Sequence, residues 1–171
     1  MTDDKKITTD TEARDKVFEL VADAHIAMMA SLGGDGHWHS RPMATGKEPF
    51  GGDLWFLTDI RSEKIDDLEK NPEVLLSYAD EDHHSYVSIT GTAAIVRDSD
   101  MVDELWSEPA RIWFPDGPTD PNIALIRVSP ESAEYWDSPS SAMVTLLGYA
   151  KVLTTGKPLR DIGENRKVDF N

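Results

Sequence analysis

The chain contains no cysteine. Disulfides, thiol nucleophiles and thiolate metal sites are therefore excluded together, and a reducing compartment suits such a chain. No apolar run is long enough to span a bilayer, and the polar, acid-bearing start MTDDKKITTD lacks the apolar core of a signal peptide. Both absences predict a soluble, cytoplasmic protein with no membrane partner. Basic residues are scarce: 17 Lys and Arg against 32 Asp and Glu leave a net charge of -15. A field of that sign repels phosphate backbones, which argues against nucleic acid as a partner. Also missing are the G-x-S-x-G, H-E-x-x-H, P-loop and dinucleotide-binding glycine patterns. An anionic small molecule would have to find a local pocket where a few basic groups and backbone N–H donors converge.

What is present is one domain's worth of chain, 171 residues. Residues 1–10 read as a flexible lead, 11–156 as a single domain and 157–171 as a loose polar tail. Thr9-Asp10-Thr11-Glu12 offers a capping box, and Val17, Phe18, Val21 and Ala24 follow at helical spacing, which predicts a helix over 11–24. HIAMMASL, a turn at Gly33-Gly34-Asp35-Gly36, then HWHSRPMAT predict a hairpin, and LWFLT after Gly51-Gly52-Asp53 predicts a third strand. SEKIDDLEKNP reads as a short helix stopped by Pro72, with Asp66-Asp67 on its solvated face. VLLSYAD, SYVSITGTAAIV and IALIRVSPESAEYWD, the last bent at Pro130, supply three more strands. A helix interrupted at Pro109 is expected over 98–114, and a C-terminal helix over 140–153. Short consecutive strands with few intervening helices predict a mainly β fold, an antiparallel barrel with peripheral helices.

Two stretches can carry binding chemistry. On a strand through Ser40-Arg41-Pro42-Met43, the residues His37, His39, Arg41 and Met43 share a face, and Pro42 marks an edge or bulge. Arg41 there either reaches a ligand beside the barrel or is a solvated surface charge. In Thr58-Asp59-Ile60-Arg61-Ser62-Glu63-Lys64 a strand ends and a helix begins. Free N–H groups at the helix start, the Thr58 and Ser62 hydroxyls and the Lys64 ammonium fit an anion. The alternative is that Ser62 only caps and Lys64 is only solvated. His37-x-His39 has no third ligand at a telling spacing, so no metal site is assigned. Packing accounts for most of the five tryptophans.

The stretches HSRPM, DLWFLTDIRSEKIDDLEKNPEVLLSYAD, YVSITGTAAIV and LWSEPARIWFPDGPTDPNIALIRVSPESAEYWD together resemble one family. It is the general-stress-protein branch of the pyridoxamine 5′-phosphate oxidase-like, FMN-binding split-barrel proteins. The likeness runs from about His25 to Asp137, with an echo through Leu147-Gly148 to Gly163-Glu164-Asn165. It implies an FMN-binding split β-barrel, a homodimer, and flavin in clefts between the barrels. Arg41, Pro42 and Met43 would lie along the flavin, Leu57 and Thr58 would meet it by backbone and hydroxyl, and Ser62 and Lys64 would hold the phosphate. Tyr86 and Ser88 on a neighbouring strand, with Trp113 and Trp136 from the partner chain, complete the implied set. The chain departs from the oxidase at Glu63-Lys64, where the oxidase has Arg-Lys, and it ends LRDIGENRKVDFN without the oxidase's Arg-x-His. The resemblance thus implies flavin binding rather than vitamin B6 oxidation.

Three functions stay open on these residues. One is an FMN-dependent oxidoreductase of unknown small-molecule substrate. A second is a non-enzymatic protein that stores or senses FMN or FAD. A third is a split-barrel dimer that takes a different ligand, such as a deazaflavin or haem, or none.

Overall fold

The computed structural model describes residues 10–46, 52–138, 149–157 and 163–170. A helix α1 (Asp10–Ala24) leads into strands β1 (Ile26–Leu32), β2 (Trp38–Ala44) and β3 (Leu54–Asp59). After α2 (Glu63–Lys70) come β4 (Glu73–Asp80) and β5 (Ser85–Val96). A third helix, α3 (Ser99–Leu105), and two 3-10 turns, Glu108–Ile112 and Gly117–Thr119, precede the long β6 (Ile123–Asp137). Residues 149–155 form α4, and β7 (Glu164–Asp169) closes the described chain.

All strand pairs are antiparallel, in the order β2-β1-β4-β5-β6-β3, with β7 also on β6. The 15-residue β6 serves two neighbours along one edge: Ile123–Val128 pairs with β3, and Ser132–Asp137 pairs with β7. The sheet curls into a half-barrel whose path ends at β2 and β3, leaving a seam between them. This is the antiparallel barrel expected from the strand pattern, split as the family resemblance implies.

Strict alternation fills the barrel. On β4, Val74, Leu76 and Tyr78 point in and are buried, while Leu75, Ser77 and Ala79 point out. Met29, Phe56, Leu76, Ile89 and Tyr135 meet inside, and Ala13, Val17, Leu20 and Val21 of α1 cover them. A second cluster, Val102, Phe114, Ile123 and Leu125, packs under α3 and the loop behind it. No described helix is long and apolar enough to cross a membrane.

Three expectations need correction or completion. The polar tail is not loose, since Glu164–Asp169 is a strand on β6. Its inward positions are Glu164, Arg166 and Val168, and only Val168 is apolar and buried, so the usual alternation is hidden. The inward carboxylate accepts the Tyr135 hydroxyl at 2.8 Å, and Arg166 reaches Asp10 at 3.2 Å. The helix expected over 98–114 breaks before Pro109, at Trp106, whose backbone is extended. Pro109 instead is the second residue of the 3-10 turn that begins at Glu108, where its missing N–H goes unneeded. Of the C-terminal helix only 149–155 is described, ended by Gly156 at φ 66. The lead, the Thr9 cap and residues 140–148 of that helix lie outside the described residues.

Local chemistry also sets the start of α3. The Asp98 carboxylate accepts the N–H of Asp100 at 3.0 Å and of Met101 at 3.1 Å. Asp98→Ala is expected to cost about 1 kcal/mol. Chemical denaturation checks this, and a loss below about 0.3 kcal/mol would show the cap to be redundant.

Candidate functional site

Four of the residues singled out in the sequence meet at the seam. Thr58 is buried near the end of β3, and Ser62 precedes α2. Lys64, in the first turn of α2, donates to Thr58 Oγ1 at 2.9 Å and to Ser62 Oγ at 2.9 Å. The Ser62 side chain makes no capping bond to the helix. Its hydroxyl is turned to the ammonium instead, which decides against a purely capping role. Arg41 enters from β2, where its Nη1 donates to the buried Ser31 Oγ at 3.3 Å.

The electrostatics are lopsided. Burial pushes the Lys64 ammonium below its ordinary range, and the neighbouring Arg41 guanidinium pushes it further down, while Asp59 pulls the other way. Asp59 is already engaged. Arg61 binds it through Nε at 3.0 Å and Nη2 at 2.6 Å, and this pairing holds the carboxyl down at about 2. Neither Arg41 nor Lys64 forms an ion pair among the described residues. Two cations are thus held together at partial burial with only hydroxyls as bonded partners. Each hydroxyl that accepts from Lys64 keeps its own proton to donate, and the ammonium has a third N–H to offer. Two cations and two hydroxyls with protons to donate meet there beside an Asp59 carboxylate already occupied by Arg61, which suits a doubly charged oxyanion such as a phosphate monoester. Glu63, the one acid inserted between Ser62 and Lys64, is exposed.

The other expected site residues separate into groups. Met43 shares Arg41's face but buries its side chain in the core, leaving its backbone on the edge strand. Pro42 faces outward opposite Met28. Leu57 is half-buried against the α3 cluster. Tyr86, Ser88 and Trp136 line a different feature, a hollow of about 480 Å³ on the outer face of the sheet, with Ile26 and Met28 among its other walls. Trp113 lies just beyond the first 3-10 turn and is 71% exposed, and Trp38 is 65% exposed. Trp38, Trp113 and Trp136 are therefore surface residues, while Trp55 and Trp106 pack on the α3 cluster.

His37 and His39 both approach Asp35, at 3.6 and 3.1 Å, and among the described residues no group of three ligands is arranged to hold a metal. Sequence reasoning missed Ser31, Asp59 and Arg61. Ser31 sits inside an apolar run with nothing to mark it. Asp59 and Arg61 read as ordinary turn residues. The Asp66-Asp67 pair is more than a solvated face, because Asp67 accepts the Gly34 N–H at 2.9 Å and ties α2 to the β1–β2 turn.

A curled antiparallel sheet with two cations gathered at its open seam defines a class of small half-barrels. The chain belongs to the pyridoxamine 5′-phosphate oxidase-like family, whose family model matches residues 12–160. Protein bli-3 of Neurospora crassa is 34% identical over 143 residues, which cover 75% of this chain and 68% of that protein. General stress protein 26 of Bacillus subtilis is 28% identical over 138 residues, or 79% of this chain and 96% of that protein. The structure of the general stress FMN/FAD binding protein from Xanthomonas citri aligns with a TM-score of 0.65 at 31% identity, covering 77% of this chain and 92% of that one.

Proposed function

We propose that this protein is a cytoplasmic, FMN-binding homodimer whose flavin serves an oxidoreductase reaction on a small molecule. The observation that carries the reading is the pair Arg41 and Lys64, held together by Ser31, Thr58 and Ser62 with no bonded counter-charge among the described residues. Two cations and two free hydroxyl protons match one terminal phosphate monoester, the group that ends FMN. Pro42, Met43 and Leu57 flank that notch on the two edge strands and would offer backbone to the flavin. Flavin held there would supply hydride-transfer redox chemistry. The chain's own residues would anchor the phosphate, orient the ring along the seam and keep water from its face.

The dimer reading rests on the outer sheet face. Ile26, Met28, Leu75, Tyr86 and Trp136 all lie there at 37–47% exposure, and no charged residue lines their hollow. On a chain of net charge -15, an apolar hollow that no charged residue lines is best explained by a second copy covering it. Tyr86, Ser88, Trp136 and the exposed Trp113 would then face the neighbouring subunit or its flavin.

One observation favours the second reading, flavin carriage without turnover. Asp59 is the carboxylate beside the notch, and its pairing with Arg61 leaves it ionised and occupied at neutral pH, so it is a poor general acid.

An absorption spectrum of the protein before and after FMN addition and dialysis tests the proposal, together with a solution mass. Flavin retained at one per chain in a dimer is the expected result. A colourless protein that takes up no FMN would remove the cofactor, and a monomer would remove the interface. Fast oxidation of a reductant by the loaded protein separates the oxidoreductase from the carrier.

A further inference from the structure

Beyond the outer sheet face, two apolar surfaces of the protomer stand open. The first is α4. Every residue from Tyr149 to Lys157 is exposed, and Tyr149, Val152 and Leu153 share one helical face at 69%, 46% and 81% exposure. Among the described residues, the hydroxyls of this segment bond only within it. A short helix with no packed face is marginal in water, so its stability has to come from another surface. The second is the projecting pair Ile112 and Trp113, 77% and 71% exposed. It is fixed from below: the Trp113 and Phe114 N–H groups donate to the Ala110 carbonyl at 3.0 and 3.1 Å, and Phe114 is buried. A preformed aromatic projection loses little entropy when something binds it.

The two surfaces are opposite in charge. From Ser138 to Lys157 the chain has two lysines and no acid, although its net charge is -15. From Asp98 to Asp120 it has seven acids and one base, Arg111, which Glu108 already pairs at 2.9 Å. Asp103, Glu104 and Asp116 are exposed there. Since both surfaces stay open, they do not cover each other within the protomer. The arm that carries α4 leaves β6 at Ser138 and returns at Gly163, whose added Cβ would lie 2.8 Å from the Asp137 carbonyl oxygen. That root adjoins Trp136, a wall of the hollow, whereas Phe114 packs with Ile123 and Leu125 at the opposite end of β6.

We infer that α4 of one protomer docks on Ile112 and Trp113 of a second copy of this chain, so that the two subunits exchange arms. The inference rests on the dimer reading above. A twofold pairing of the outer faces that reverses the strand direction brings the root of each arm toward the projecting pair of the other subunit, and the contact is made twice. Trp113 then enters an apolar helix face while Lys151 and Lys157 meet acids at the rim.

The chain has no cysteine, so an introduced pair reports contact without background. Full-length Trp113→Cys protein is mixed with full-length Leu153→Cys protein, the subunits are left to exchange, and the mixture is oxidised. The expected product is a covalent dimer whose mass shows one chain of each variant, with no comparable product from either variant alone. In a separate measurement, Leu153→Asp should raise the dimer dissociation constant roughly tenfold or more by sedimentation. A wild-type dimer that yields no mixed cross-link would overturn the arm exchange and leave the dimer standing, as would a dissociation constant that Leu153→Asp leaves unchanged. A disulfide closed within one chain carrying both cysteines would assign α4 to its own protomer and overturn the exchange too. Wild-type protein that sediments as a monomer would bring down the dimer reading itself.

Discussion

Replacing Arg41 and Lys64 together with alanine is expected to lower FMN affinity by about 3–6 kcal/mol, because charge-assisted bonds to an oxyanion contribute roughly 1.5–3 kcal/mol each. The same change should leave the protein without FMN as stable as before, or make it more stable. In that state the two cations repel: Arg41 helps to push the Lys64 ammonium below its ordinary range. Removing them deletes an unfavourable pair, and the space the two side chains vacate admits water to the Ser31, Thr58 and Ser62 hydroxyls they leave behind. Isothermal calorimetry and a denaturant midpoint measure the two effects. Affinity within twofold of wild type would move the phosphate elsewhere. A large loss of stability would mean that the cations serve the fold. A pH series adds a sign. Phosphate stabilises the charged form of Lys64, so its pKa is higher in the complex than in the free protein, and binding takes up a proton between the two values. Affinity must then fall as pH rises through the alkaline range, starting below the ordinary lysine value. Lys64→Arg should flatten that fall.

Much of this site could be read from one short stretch. Thr58, Ser62 and Lys64 lie where an aromatic strand gives way to an amphipathic helix, and that local switch places two hydroxyls and a cation on one side of the turn. Arg41 was harder. It is far from Lys64 in sequence and on the opposite end of the sheet path, and only the curling of the sheet brings β2 and β3 face to face across the seam. The edge position of Pro42 hinted at this without identifying the strand across the gap. Partners that act through geometry alone left no pattern. Ser31 is one small residue in an apolar strand, and Asp59 and Arg61 are two charges in a turn.

The strands show the same division. β5 announces itself by alternation, and β1 by a short apolar run that ends in a glycine turn. β7 does not, because its inward side chains are Glu164 and Arg166, satisfied by the Tyr135 hydroxyl and by Asp10. Its stability comes from pairing with a strand already in place and from one buried valine, a signal too small to see in the sequence. The tryptophans are a related case. Aromatic residues are counted toward a core by default, yet Trp38, Trp113 and Trp136 remain on the surface of the single protomer. That outcome is what a molecule completed by a second copy would show.

Gly91→Ala should be among the most damaging small substitutions in the barrel, at about 2–4 kcal/mol. β5 and β6 slip register between Thr90 and Gly91: Thr90 faces Ser132 and Gly91 faces Pro130, so Glu131 is the extra residue of a bulge. Pro130 has no N–H to give the ladder, and the bulge lets β6 pass that position and regain its pairing. The strands come so close there that a Cβ on Gly91 would lie 2.5 Å from the Ser129 carbonyl oxygen and 3.1 Å from Val128 Cγ1. The nearest obstacle is backbone inside a seven-stranded sheet, so it cannot swing aside as a side-chain tip could. Against this stands the gain of about 0.4–1 kcal/mol that alanine brings by restricting the unfolded chain. The clash exceeds that gain, so the sign is destabilising. Gly36→Ala provides the contrast. Gly36 sits at φ +80, and a Cβ added there would meet nothing within 4 Å, so its cost is the left-handed backbone alone, about 1–2 kcal/mol. Denaturant midpoints of the two variants should therefore rank Gly91→Ala below Gly36→Ala. Equal midpoints, or a Gly91→Ala protein as stable as wild type, would show that β6 can shift at the bulge and that Gly91 is not required by the close approach of the two strands.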